Sequence, residues 1–313
     1  MKTNQCYVEL SPHSSEKPPV RFTPLKLTQD VKERESVRQR DCNSSDHKKS
    51  DRIHSLLSHA LTEKSLNALK VDKAINLNAL FYSKMFALTV SQVNKHKVKV
   101  SDITYVLPNA RARNYQANVQ QMQYKFAEEV PLQCNFIYLV DDLQMFGPNQ
   151  HFTYQINGQQ KSCLAMRQIH HYQRTSGPRI VFLIKALIEQ KWQNYLAYSH
   201  PIVDPKHPVL IDSNHERNFA LYFLVLAQKG ATLTKPYLSC EYQGNHLLPD
   251  FIYSAPGKKS RVIEVMGMLD QKEYRERKSR LVPLMEKRYK MEVIEVEPQG
   301  IASVAQHLFA DNR

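Results

Sequence analysis

The chain has 313 residues, 42% of them hydrophobic, enough for two domains with sizeable cores and a tail. Lys and Arg total 43 against 30 Asp and Glu, and the resulting formal charge of +13 favours a polyanionic partner. Its five cysteines are scattered without a CxxC pair, which argues against a zinc site or a disulfide framework.

No run approaches the roughly eighteen uninterrupted apolar residues of a membrane span, and Met1 to Tyr7 lacks the apolar core of a signal peptide. The expectation is a cytoplasmic protein with no membrane partner.

Residues 1–50 are polar, charged and without period, and read as a flexible tail. Residues 51–96 read as a helical segment. Ile53, Leu56, Leu57, Ala60 and Leu61 make one apolar stripe, and Leu66, Leu69, Leu77, Phe81, Met85 and Leu88 a second.

Residues 97–208 read as an α/β accessory subdomain and connector. Strands are expected over Val100–Leu107 and Leu132–Val140, with a polar helix over 110–129 between them. Arg111 and Arg113 stand at the start of that helix, where backbone amides point outward and a nucleic-acid phosphate can be met. A solvated helix face is the alternative. His151–Ile156 and Gln159–Arg167 flank Asn157-Gly158, a hairpin signal. The apolar residues Leu183, Ile184, Leu187, Trp192 and Leu196 predict a helix over Ile180–Leu196. Pro201, Pro205 and Pro208 then make a stiff connector.

The most informative stretch lies within 209–313. Glu216 shares a helix face with Ala220, Phe223, Leu224 and Ala227, but Ser213-x-x-Glu216 is also a capping box. Lys235–Tyr242 reads as a first strand. Leu247–Tyr253 and Arg261–Gly267 read as two more, around the turn-forming run Ser254–Ser260. With Tyr253 opposite Arg261, Asp250 falls directly opposite Glu264, and Cβ atoms so paired stand about 4.5–5.5 Å apart.

Leu248, Ile252, Val262 and Met266 flank these two acids. Carboxylates so placed either take up a proton or find a cation, and a hard divalent ion held by oxygen ligands serves both. If both strands are instead edges, the acids simply reach water. Next comes a helix over Asp270–Tyr289, with Tyr274, Lys278, Leu281 and Met285 on one face. A strand over Met291–Val296 follows, and such a crossover places its two strands parallel in one sheet.

This order of elements, with Pro249-Asp250 and Glu264-Val-Met-Gly267, resembles the PD-(D/E)XK phosphodiesterase superfamily of restriction-endonuclease-like folds over roughly 213–298. The resemblance implies an α/β (α+β) fold with a mixed sheet flanked by helices at its core. It further implies Mg2+ (or Mn2+) on Asp250 and Glu264, assistance from Glu216, and DNA as substrate. The superfamily's lysine two residues after the Glu is replaced here by Met266. Lys278, on the inward face of the next helix, is the first candidate to stand in for it, and Lys272 the second. Asp212-Ser-Asn-His-Glu-Arg217 and Glu264-Val-Met-Gly267 are also similar to phrases in bacterial proteins carried on integrating and conjugative elements.

The expected function is therefore a metal-dependent DNA endonuclease. The alternative is an inactive nuclease-fold protein that binds DNA or assembles a mobile element, and a scaffold with no nucleic-acid role is a third class.

Overall fold

The structure is a computed structural model and describes residues 7–9, 21–23, 52–71, 73–93, 95–107, 132–146, 151–156, 159–164, 170–171, 175–188 and 191–310. It is an α+β fold with mixed sheets of parallel and antiparallel strands. Among the described residues, no helix is long and apolar enough to cross a membrane. Arg111, Arg113 and the helix expected over 110–129 lie outside the described residues.

Within the stretch expected as a tail, β1 (Tyr7–Glu9) and β2 (Arg21–Thr23) pair antiparallel. Helix α1 (Arg52–Glu63) turns its stripe inward, burying Leu56, Leu57, Ala60 and Leu61. The second stripe is not helical. Its residues fall on β3 (Ala68–Lys70), on a 3-10 turn over Leu77–Tyr82, and in the approach to β4 (Thr89–Val93), which pairs with β5 (His96–Lys99). Leu69, Leu77 and Met85 are nevertheless buried, so the spacing marks core positions without an α-helix to carry them. The Asn76 side chain starts the 3-10 turn by accepting from the Asn78 amide (3.0 Å).

Strand β6 (Thr104–Leu107) pairs parallel with β7 (Gln133–Val140), close to the strands expected there. Strands β8 (Asp142–Phe146), β9 (His151–Ile156) and β10 (Gln159–Leu164) form an antiparallel sheet. Ile156 faces Gln159 across the expected hairpin.

The helix expected over Ile180–Leu196 is instead two long strands, β12 (Arg179–Ile188) and β13 (Lys191–Pro201). Ile180 to Ile184 are all buried, so the run has no polar face to reveal a period of two. With the short β11 (His170–His171), they complete a five-stranded sheet in the order β11-β13-β12-β7-β6.

The C-terminal part contains α2 (Asn214–Leu226), β14 (Thr232–Thr234), β15 (Cys240–Tyr242), β16 (Asn245–Leu247), β17 (Phe251–Ser254), β18 (Arg261–Val265), α3 (Lys272–Tyr289), β19 (Glu292–Val296) and α4 (Ile301–Phe309). The strand expected over Lys235–Tyr242 is divided: β14 ends at Thr234, and β15 pairs with β16 in a separate hairpin. The main sheet runs β19-β18-β17-β14-β3, so a strand from residues 68–70 forms its far edge.

One face of this sheet packs Phe251, Tyr253, Ile263 and Val265 against Phe219 and Phe223 of α2 and Phe309 of α4. Val262 packs with Met285 and Leu281 of α3. Because side chains alternate along a strand, Glu264 shares the Val262 side and faces α3.

Candidate functional site

The hairpin of β17 and β18 has Tyr253 opposite Arg261, the register assumed from the sequence. Ile252 faces Val262, and Phe251 faces Ile263. The ladder ends there: the strand expected over Leu247–Tyr253 is broken at 248–250, and Asp250, in the bend before β17, lies beside Glu264 through side-chain contacts. The Asp250 amide donates to Glu264 Oε1 (3.2 Å), and the Val265 amide donates to Asp250 Oδ2 (2.7 Å). Backbone geometry thus holds the two acids together. Strands β18 and β19 are parallel, as the intervening helix requires.

Helix α3 brings Lys278 onto Glu264. Its ammonium donates to Glu264 Oε2 and lies 4.0 Å from Asp250 Oδ2. The Tyr274 ring lies one turn earlier, its centroid 5.6 Å from the same ammonium. Lys272 is not brought to the site: its side chain is 82% exposed and pairs with Glu276 at 3.7 Å. Position 272 begins the helix, on the side away from the sheet. Met266 is buried directly beyond the strand.

Glu216 joins the cluster from the first turn of α2. Its amide donates to Ser213 Oγ (3.1 Å), which is the first half of a capping box. The reciprocal half is displaced by one residue, because Glu216 Oε2 accepts from the Asp212 amide (3.1 Å). The same oxygen accepts from Lys235 Nζ (2.7 Å), so Glu216 caps the helix and binds a cation together.

Sequence reasoning missed Lys235 and Asp212. Lys235 is buried just beyond β14, with its ammonium 3.0 Å from Asp212 Oδ2 and 3.8 Å from Asp250 Oδ1. It also lies 5.4 Å from the centroid of the Phe251 ring. Its backbone is tied to Asn67: the Lys235 amide donates to the Asn67 carbonyl, and Asn67 Nδ2 donates back to the Lys235 carbonyl, both at 2.8 Å. These bonds extend the pairing of β14 with β3. A lysine inside the stretch expected as a strand was the available signal, but no local spacing linked it to the acids.

Four carboxylates therefore share two ammonium groups, and burial dominates the ionisation of the two glutamates. Burial, helped by Asp250 and opposed by Lys278, raises the Glu264 carboxyl to about 7. Burial outweighs Lys235 at Glu216 and raises that carboxyl to about 8. At Asp212 desolvation is overcome, chiefly by Lys235, and the carboxyl falls to about 2. Burial would lower the two lysines, but their acidic neighbours hold both above the usual lysine range. Both stay cationic at neutral pH.

Among the described residues, no group of three or more His, Cys, Asp or Glu is arranged as a metal cage. Mg2+ commonly takes one or two carboxylates and completes its shell with water and substrate phosphate. Asp250, in the bend before β17, and Glu264, on β18, supply that pair of carboxylates, so the donor set fits such an ion. Comparison with known proteins adds no identity: neither a scan against protein-family models nor a search of curated proteins returned a match.

Proposed function

We propose that the chain is a Mg2+- or Mn2+-dependent phosphodiesterase of the PD-(D/E)XK type that acts on DNA, with Lys278 in place of the missing lysine. The observation that carries this reading is the meeting of Lys278 with Glu264, beside Asp250. A helical lysine thus reaches the carboxylate pair although Met266 stands where the superfamily has its own. Asp250 and Glu264 would hold the ion, which would polarise the phosphate and lower the pKa of bound water.

Lys278 remains an ammonium, so it is a donor and not a base. Its part is to orient the attacking water and to stabilise negative charge developing on phosphorus-bound oxygens. Glu216 and Asp212 hold Lys235 on the other side of Asp250, keeping a second ammonium near the charged end of the cluster. The formal charge of +13 supports a polyanionic substrate.

The test is cleavage of duplex and single-stranded DNA with Mg2+ or Mn2+, run beside thermal unfolding with the same ions. A ligand of the native state alone raises stability, by about 2.7 kcal/mol at a hundredfold excess over Kd. Asp250→Asn should abolish both cleavage and the metal-induced rise, while DNA affinity is retained. If neither ion gives a rise or cleavage, even with DNA present, the reading falls. The inactive DNA-binding or assembly alternative would then be preferred, and Met266 is the observation in its favour.

A further inference from the structure

Beyond the carboxylates, a line of polar side chains runs from α1 to Asp212. Tyr198 on β13 lies between two imidazoles: its hydroxyl is 2.6 Å from His54 Nδ1 and 2.9 Å from His200 Nδ1. Tyr198 and His200 alternate along one strand and so share a face. His54 and Ser58 stand one turn apart on α1, with Ser58 Oγ 3.3 Å from His54 Nε2. At the other end, His200 Nε2 lies 3.8 Å from Asp212 Oδ1. The His200 side chain is 4% exposed and that of Asp212 45%, so the line opens to solvent at Asp212.

Proton inventory gives this line a direction. A phenol has one proton, so Tyr198 donates to one imidazole and accepts from the other. Asp212 is ionised and can only accept, which favours a proton on His200 Nε2, facing it. His200 Nδ1 is then bare and accepts from Tyr198. Tyr198 in turn accepts from His54 Nδ1–H, and His54 Nε2 accepts from Ser58. The opposite assignment would aim the His200 lone pair at a carboxylate.

Arg179 on β12 and Lys235 after β14 also face His200, as does His54. Burial lowers its pKa to about 3, aided by these three groups and opposed by Asp212, so the imidazole stays neutral.

The geometry points to Ser58, His54, Tyr198 and His200 as a directed hydrogen-bond chain that turns the His200 Nε2–H dipole toward Asp212 and so brings helix α1 to the edge of the candidate site. The last gap, 3.8 Å, is beyond hydrogen-bond length. The chain's effect on rate rests on the phosphodiesterase reading; the chain itself is visible without catalysis.

The experiment is 15N NMR of histidine-labelled full-length protein, with signals assigned by single His→Gln replacements. The expected result at neutral pH is His200 as the Nε2–H tautomer and His54 as Nδ1–H, the form less common in free histidine. Tyr198→Phe should return His54 to Nε2–H while His200 keeps its form. Asp212→Ala should leave His200 a mixture of tautomers. In a cleavage assay, Tyr198→Phe should lower kcat by about fivefold with KM for DNA unchanged, the size expected for loss of the hydrogen bond that holds the His200 ring toward Asp212.

His54 as Nε2–H in the wild type, or histidine signals indifferent to Tyr198→Phe, would overturn the chain. If the tautomers are as expected and the wild type cleaves nothing, the chain stands and the phosphodiesterase reading fails.

Discussion

The Asp250 amide donates to the Glu264 carboxylate, so two acids that repel through their side chains are bound through the backbone of one of them. The Val265 amide returns the favour to Asp250. At Glu264 burial raises the carboxyl, and the bond from the Asp250 amide acts against it by favouring the ionised form. Lys278 touches both acids, and Lys235 approaches Asp250 from the other side at 3.8 Å.

Lys235 is the first residue to alter. Lys235→Met leaves Asp212, Glu216 and Asp250 without their shared ammonium. Because the Asp212 side chain is 45% exposed and screened, the cost falls at the low end of the buried-pair range, about 3 kcal/mol. Urea unfolding should report a loss of that size. In the double variant Lys235→Met/Glu216→Gln the loss should be smaller than the sum of the two single changes, by about 0.5–3 kcal/mol. Strict additivity would mean that the 2.7 Å contact contributes nothing.

The two lysines of α3 should separate cleanly. Lys278→Met removes a donor aimed at the reacting groups and should cost about 10²–10³ in kcat. The metal-induced rise in Tm should survive it, since Asp250 and Glu264 remain. Lys272→Ala, at an exposed position, should change stability by no more than about 0.5 kcal/mol and leave cleavage unaltered. Equal losses from both would remove Lys278 from its assigned role.

Glu216 predicts a slope of stability with pH. Its carboxyl is raised from 4.5 to about 8, chiefly by burial, so in that window the native chain keeps a proton that the unfolded chain has released. Its contribution is full below pH 4.5 and is lost as pH rises toward 8, at up to about 1.4 kcal/mol per unit. His200 acts in the opposite sense: lowered from 6.5 to about 3, it costs stability as pH falls below 6.5. Comparing Glu216→Gln with the wild type cancels the histidine. The variant's Tm relative to wild type should climb between pH 5 and 8, and a flat difference would mean that Glu216 is ionised throughout.

How much of this was legible in the chain depends on how local the signal is. Ser254–Ser260 is a polar turn between two β-rich runs, so a hairpin was legible there, and with an assumed register it brought Asp250 next to Glu264. Lys278 could be found because Tyr274, Leu281 and Met285 mark the inward side of its helix. By contrast, Ile180–Ile184 is buried on both faces, and a run without a polar face presents the same letters as helix or strand. Lys235 was invisible for a different reason. Its place is set by Asn67 and β3, which no spacing within 209–313 can reveal. Asp212 is bound through Lys235 and was hidden with it.

The bond between Asn67 and Lys235 closes a loop of 168 residues, which bears on how the protein is made. On the ribosome, β3 emerges long before β14 exists, and it must wait with its apolar Leu69 unburied until the last third of the chain arrives. Pairings of such long range form slowly and leave strand edges open meanwhile. The exposed intermediate is therefore a chain whose N-terminal half is already folding around an unclaimed strand. A fragment starting at residue 209 would carry the reverse defect, a β14 edge free to recruit a neighbouring copy. Synthesis order, and not only the finished contacts, thus ties the charged cluster to the start of the chain.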